Sequence, residues 1–136
     1  MANNAIEAAN AFMAAINSHS PDAISRLMTE DHVFVDSGGA AVSGRAAMAE
    51  GWAGYFRMFP DYAIRAESVM ADGDLVAVFG SASGTYNGKR GLVPENRIAM
   101  PAAWKAVVHK GRVKHWQVYA DWTEGSKIIE QDNAAA

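Results

Sequence analysis

The sequence lacks cysteine altogether among its 136 residues. This absence excludes disulfides, thiolate nucleophiles and cysteine metal ligands, and it fits a reducing compartment. The chain also lacks any apolar run near the roughly 18 residues of a membrane-spanning helix, and its first stretch, "MANNAIEAANAFM", has no basic n-region of a secretory signal. We therefore expect a cytoplasmic protein that makes no membrane contact.

Positive charge is scarce as well. Lys and Arg number 12 against 15 Asp and Glu, which gives a formal net charge of −3. Because surfaces that bind nucleic acid are basic, we expect no nucleic-acid partner. The length predicts one domain, and a composition that is 50% hydrophobic and 20% charged is typical of a globular protein.

The motifs of several common catalytic centres are missing. No pair of His, Asp or Glu has a metal-ligand spacing such as HExxH, so we expect no metal and no other cofactor. The sequence has neither a glycine-rich phosphate loop nor a Gly-x-Ser-x-Gly elbow for a serine nucleophile. The candidate chemistry that remains is that of carboxylates and histidines among aromatic rings.

Helical periodicity dominates the first part of the chain. Apolar residues recur at helical spacing between Asn3 and Asn17, and Ser20–Pro21 is typical of the start of a second, short helix. A third helix is predicted to end at Pro60. Its apolar stripe consists of Met48, Trp52, Tyr55, Phe56 and Phe59.

The apolar period then changes to two, which predicts strands. "HVFVD" is an early strand, Asp72–Gly73 predicts a hairpin turn, and Pro101 predicts a bulge or an edge position in a later strand. Three helices followed by a meander predict an α+β domain whose sheet wraps on the third helix. We expect an ordered core over residues 3–123 and a C-terminal tail over 124–136.

Two aspartates are the candidate catalytic groups. Asp36 ends the run "VFVDSGG", where it either caps the glycine turn or reaches into a cavity, with about even weight on each interpretation. In the last strand, a period of two places Gln117, Tyr119 and Asp121 on one face. We expect this polar row to face a cavity, so that Asp121 lies in it.

The opposite row of the last strand is apolar, and we expect it to be buried in a subunit interface. It contains Trp116, Val118, Ala120 and Trp122. Among the histidines, His115 shares the parity of Asp121 and is predicted to line the mouth of the cavity. His32 is predicted to be a partly exposed turn histidine.

Over nearly its whole length the chain resembles the nuclear transport factor 2-like superfamily, specifically its SnoaL-like members. The resemblance rests on "NSHSPDAISRLMTEDHVFVDSGG", "GRAAMAEGWAGYFRMFPDYAI", "ADGDLVAV" and "KGRVKHWQVYADW" in this order. It implies a cystatin-like, cone-shaped barrel, in which a strongly curved antiparallel sheet closes with helices around an apolar pocket. It also implies a homodimer formed through the outer face of the sheet.

Three enzyme groups within the superfamily suggest roles for individual residues. The resemblance to ketosteroid isomerases places Asp36 at their general base, with Phe12 and Trp104 (or Ala103) where they have oxyanion donors. The resemblance to limonene epoxide hydrolases places Asp121 near their water-activating carboxylate and Phe34 and Asp36 at their water-holding positions. Polyketide cyclases of the SnoaL type place Gln117 at their acid–base aspartate. Because each set is incomplete here, we expect neither steroid isomerase nor limonene epoxide hydrolase activity.

Two classes of function follow from these observations. One is an enzyme that uses Asp36 and Asp121 for proton transfer, isomerisation or hydrolysis of a small apolar or cyclic substrate. The other is a non-catalytic ligand-binding or dimerisation domain. In both cases the expected partners are a small hydrophobic molecule and a second copy of the chain. The predicted pocket residues are Phe12, Phe34, Trp52, Tyr55, Phe56, Phe59, Trp104, His115, Gln117 and Tyr119.

Overall fold

A computed structural model describes residues 4–136, so the predicted helical residue Asn3 lies outside the described residues. The chain opens with helix α1, Asn4–Asn17, and a shorter helix α2, Pro21–Arg26. Both form where the sequence predicts them. The start of α2 is capped by Ser20, whose hydroxyl oxygen accepts a hydrogen bond from the Ala23 amide at 3.2 Å.

Helix α3, Arg45–Met58, has 14 residues, as α1 does, and packs against the first two strands of the chain, whereas α1 packs against the other four strands. It buries Met48 and Trp52, whereas Tyr55 and Phe56 are half-buried. The predicted apolar stripe therefore faces the core, and the helix ends just before Pro60, which cannot continue it.

Six strands form one sheet in the order β2-β1-β6-β5-β4-β3. The bounds are β1 Met28–Val35, β2 Ala41–Ser43, β3 Ala63–Asp72, β4 Leu75–Thr85, β5 Arg97–His109 and β6 Arg112–Ala120. The α+β class is confirmed. Four of the five strand pairings are antiparallel, as the resemblance implies, and the fifth is the parallel pairing of β1 with β6. Parallel pairing puts the carboxyl ends of β1 and β6, and thus Asp36 and Asp121, toward the same edge of the sheet.

Local irregularities shape the sheet. A bulge in β3 lies between Ala66 and Ser68, opposite Gly80 of β4. A Cβ atom at Gly80 would collide with the carbonyl oxygen of Arg65, so the close approach of the two strands requires glycine. Pro101 pairs with β4, but the pairing of β5 with β6 begins only at Ala102. The proline thus lies at the end of the doubly paired segment of a central strand.

The C-terminal segment is a helix, not the expected tail. Helix α4 spans Thr123–Asn133 and buries Asp132 completely. The carboxylate accepts hydrogen bonds from the amides of Lys89 and Arg90 at 2.7 and 2.8 Å and from the Asn96 side chain at 2.9 Å. Burial by itself would raise the pKa of Asp132, but these bonds and the Arg90 charge lower it below its ordinary value. The helix is thereby fastened to the loop that precedes β5.

No helix within residues 4–136 is both long and apolar enough to cross a membrane.

Candidate functional site

A cavity of about 470 Å³ lies between α3 and the inner face of the sheet, and we call it the central cavity. Its size falls within the range of small-molecule sites. Seven aromatic residues line it, and they include all four tryptophans of the sequence. These residues are Phe34, Trp52, Tyr55, Tyr62, Trp104, Trp116 and Trp122.

Ring contacts hold the aromatic wall in place. Trp52 of α3 stacks on Phe34 with a centroid distance of 6.1 Å, and it meets the edge of Tyr55 at an interplanar angle of 88°. On the sheet, Trp104 and Trp116 stack with centroids 6.3 Å apart. Such arrangements are favourable for aromatic quadrupoles, and they fix the shape of the cavity.

Two tyrosines supply polar atoms to this wall. Tyr55 and Tyr62 meet edge to face with centroids 4.9 Å apart. Burial raises the pKa of both hydroxyls above the ordinary value for tyrosine. They therefore stay neutral across the physiological range and can donate or accept hydrogen bonds without adding charge.

Asp36 lies at the mouth of the central cavity and also caps the glycine turn. Its Oδ1 atom accepts hydrogen bonds from the amides of Gly38 at 2.9 Å and Ala40 at 3.0 Å. Its own amide donates to the Ala40 carbonyl at 2.9 Å. The cap interpretation is thus confirmed, while the side chain is exposed and borders the cavity without being enclosed in it. Because both side-chain bonds fall on Oδ1, Oδ2 is left to interact with a ligand or with water.

Asp121 does not lie in the central cavity, so the prediction that it does is wrong. It is exposed and absent from the cavity lining. Its Oδ1 accepts hydrogen bonds from the Thr123 amide at 2.9 Å and the Thr123 hydroxyl at 2.6 Å, and these bonds lower the pKa of the carboxyl. The carboxylate stabilises the turn into α4.

The error comes from the orientation of β6. The strand directs its apolar row inward: Trp116, Val118, Ala120 and the following Trp122 all line the cavity. The expectation that this row forms a subunit interface is therefore also wrong. The polar row faces outward, where Tyr119 is 51% exposed and His115 lies within 3.1 Å of Gln117 (Nε2 to Oε1). These three predicted pocket residues lie outside the cavity lining.

Three further predicted pocket residues pack in or against the core and lie outside the cavity lining. Phe12 is fully buried against Trp116, at a centroid distance of 5.0 Å. Phe56 packs on Trp52, while Phe59 borders a smaller neighbouring pocket. Of the predicted set, the structure brings Asp36, Phe34, Trp52, Tyr55 and Trp104 together at the central cavity.

His32 is fully buried, which corrects the expectation of an exposed turn residue. Its Nδ1 lies 2.7 Å from the carbonyl oxygen of Val113, so that nitrogen carries the proton, while Nε2 has no partner among the described residues. Burial lowers the pKa of His32, against the opposing effect of the Val113 carbonyl. The ring also packs on Phe12, with centroids 5.8 Å apart.

Several lining residues were not predicted from the sequence as ligand contacts. The larger ones are Met48, Tyr62, Met100, Trp116, Val118 and Trp122. Helical spacing did place Met48 on the inner face of α3, and the apolar row of β6 was the signal for the last three. Within the described residues there is no group of three or more His, Asp or Glu side chains that could hold a metal ion.

Comparison with known proteins agrees with this architecture. The family model of the SnoaL-like domain matches residues 9–116. The chain belongs to the SnoaL-like domain family. No curated protein matches this SnoaL-like domain.

Solved structures show the same fold. A putative polyketide cyclase from Xanthomonas campestris pv. campestris has a TM-score of 0.81 at 20% identity, over 92% of this chain and 96% of that one. An LEH-like epoxide hydrolase from M. tuberculosis has a TM-score of 0.77 at 19% identity, over 97% and 93%. A hypothetical protein with a ketosteroid isomerase-like fold from Catenulispora acidiphila, in complex with trimethylamine, has a TM-score of 0.78 at 22% identity, over 95% of this chain and 94% of that one. At these identities the similarity is one of fold.

Proposed function

We propose that this SnoaL-like domain binds a small organic molecule with an apolar, cyclic body in the central cavity. The observation that carries the proposal is the lining of the cavity, in which seven aromatic residues surround about 470 Å³ of space. Burial of apolar ligand surface against such walls is favourable, and the tyrosine hydroxyls and Asp36 provide polar contacts that orient the ligand. The related structures, which include an epoxide hydrolase and a complex with trimethylamine, support a small-molecule role.

The proposal can be tested by titrating the protein with 3-tert-butylphenol and recording ¹⁵N–¹H correlation spectra. All four tryptophans line the cavity, so their indole N–H signals report on its occupancy. We expect saturable shifts of these signals. Unchanged indole signals up to the solubility limit of the phenol would contradict the proposal.

A blocking variant sharpens this test. Val42 is 44% exposed and lines the cavity mouth, so Val42→Trp should weaken phenol binding by obstructing entry. Leu92→Trp is the matched control, because Leu92 is 59% exposed and lies outside the cavity lining. Equal phenol affinity in the two variants would place binding elsewhere on the molecule.

Proton transfer by Asp36 is a second candidate function. The favouring observation is that two backbone amides hold one carboxylate oxygen at the cavity mouth and thereby fix the direction of the other. A positioned carboxylate of this kind can act as a general base once a substrate occupies the cavity. With a substrate in hand, Asp36→Asn should abolish turnover while binding persists. Retained turnover would reduce the site to a binding pocket.

We also propose that the outer face of the sheet forms a homodimer. Phe79 of β4 and Tyr119 of β6 flank Ala103 of β5 in one paired row, and they are 49% and 51% exposed. This apolar row replaces the tryptophans that the sequence suggested for the interface. Its aromatic residues are of the kind enriched at such contacts.

A further inference from the structure

We propose that the ligand of the central cavity is an organic cation, specifically a substituted ammonium group carried on an apolar body. This inference rests on the proposed function, because it specifies the charge of the molecule that the cavity binds. It starts from the formal charges around the cavity. Asp36 is the one acidic side chain in the lining that the structure describes, and that lining contains no Lys, Arg or His.

The carboxylate keeps its charge available to a ligand. Both described side-chain bonds fall on Oδ1 and come from neutral amides, so no cation neutralises the group there. Arg45, which follows β2 at the start of α3, is engaged elsewhere. Its guanidinium lies 3.4 Å from the Met28 carbonyl oxygen and 3.5 Å from the Glu30 carboxylate. Oδ2 can therefore pair with a positive group at the mouth.

The aromatic walls of the central cavity also favour a positively charged ligand. Tryptophan and tyrosine rings carry a negative quadrupole on their faces, which attracts ammonium groups. Six of the lining residues are of these two types. Because the tyrosine hydroxyls stay neutral, they do not compete with Asp36 for the cation.

An anionic ligand is disfavoured by the same features. It would need a cationic or multiple-donor partner to compensate its loss of water, and the described lining offers neither a basic side chain nor a helix N-terminus. The Trp52 indole N–H, which has no partner among the described residues, is a single neutral donor and leaves the negative charge of an anion unpaired. A neutral ligand can bind and can donate a hydrogen bond to Asp36, but it forms no ion pair with the carboxylate. The cavity therefore discriminates in the order cation, neutral molecule, anion.

The test compares three probes that share one ring. They are 3-hydroxyphenyltrimethylammonium, its uncharged isostere 3-tert-butylphenol, and 3-hydroxybenzenesulfonate, each titrated at pH 6.5 with the tryptophan indole signals as readout. We expect the ammonium probe to bind at least about tenfold tighter than the isostere, since a cation–π contact and a partly exposed ion pair together contribute on the order of 1.4 kcal/mol. The sulfonate should bind most weakly.

Two variants assign the preference to Asp36. Asp36→Asn keeps an oxygen that can accept the Gly38 and Ala40 amides but removes the charge, and it should lower the ammonium-to-isostere affinity ratio several-fold. Asp121→Asn is the matched control, because Asp121 also caps a turn after a strand but lies outside the cavity lining. It should leave the ratio unchanged.

The outcomes separate the two proposals. If the isostere binds as tightly as the ammonium probe, or if Asp36→Asn leaves the ratio unaltered, the inference of a cationic ligand is overturned while the small-molecule site stands. If none of the three probes shifts the indole signals, both proposals are overturned. A ratio that favours the ammonium probe and falls in Asp36→Asn alone supports the inference.

Discussion

The two rows of side chains on β6 show how one strand serves two different surfaces. The inner row begins with Trp116, which is 1% exposed, whereas Tyr119 of the outer row is 51% exposed. Both rows carry large side chains, but only the inner row is wholly apolar. The inner row builds the cavity wall and the outer row faces away from it. The comparison teaches that the face of the strand on which a residue lies decides whether it belongs to the site.

The same lesson applies to the two strand ends. Asp36 follows β1 and Asp121 follows β6, and each uses Oδ1 to accept hydrogen bonds that stabilise the next turn. Their local roles are thus alike. Asp36 shares its parity with Phe34 on the inner face, whereas Asp121 follows the outward row. Only Asp36 lines the cavity. It is a candidate functional group because of this position, since its capping bonds resemble those of Asp121.

The largest expected effect is a difference in stability between variants of the inner row and variants of the outer row of β6. Trp116→Ala should lower the free energy of unfolding by about 3–5 kcal/mol, because it removes a buried ring that packs on Phe12 and Trp104. Gln117→Ala, one residue later on the outer row, should cost less than about 1 kcal/mol. Urea denaturation measures both. Similar losses in the two variants would contradict the assigned orientation of the strand.

Part of this arrangement could be predicted from the sequence. Helical spacing identified the buried face of α3, and alternation identified the two rows of β6, because both periods are local properties of the chain. Alternation does not reveal which row faces inward. The apolar row should have decided it, since Trp116, Val118 and Trp122 gain most from burial. The expectation that Asp121 is catalytic reversed that choice.

Contacts distant in sequence account for the other errors. His32 is buried through its bond to Val113, which lies 81 positions away. Asp132 is buried because backbone amides from the loop before β5 reach it. Neither contact produces a hydrophobic periodicity in the sequence, which therefore predicts a polar tail over residues 124–136.

The next prediction concerns the outer face as a dimer surface. Phe79→Lys should weaken self-association by about 2 kcal/mol or more, the effect typical of a central interface residue, because it places a charge in the apolar row. Sedimentation velocity over a range of concentrations measures this change. Leu92→Lys, at an exposed position outside the sheet, is the control. A monomeric wild-type protein at micromolar concentration would contradict the dimer itself.

A smaller expected effect is the pH dependence of stability, which should come from the buried His32 and not from His115 of the outer row. Because burial lowers the pKa of His32 in the folded state, the unfolded chain binds this proton more readily near its ordinary value of about 6.5. Stability is therefore retained above pH 6.5 and declines as the pH falls below it, by at most about 1.4 kcal/mol per pH unit for one proton. The neighbouring His115 lowers the pKa of His32 further, whereas the Asp31 carboxylate raises it.

Urea midpoints measured between pH 8 and pH 5 test this expectation. His32→Gln should flatten the decline, whatever its effect on stability at neutral pH, because the proton-binding group is gone. His115→Gln removes a half-buried histidine of the outer row and should leave the decline nearly as steep as in the wild type. A decline that His32→Gln does not reduce would assign the acid sensitivity to other groups.

The smallest expected effect returns to the two strand ends. Asp36→Asn and Asp121→Asn should each change the free energy of unfolding by no more than about 0.5 kcal/mol, because an asparagine oxygen can accept the same backbone bonds. The stability measurements should thus fail to distinguish the two positions, whereas the ammonium titration should distinguish them. A marked loss of stability in Asp36→Asn alone would mean that its charge serves the turn. Asp36 would then be a structural residue that happens to lie at the cavity mouth, and ligand selectivity would have to come from the aromatic walls.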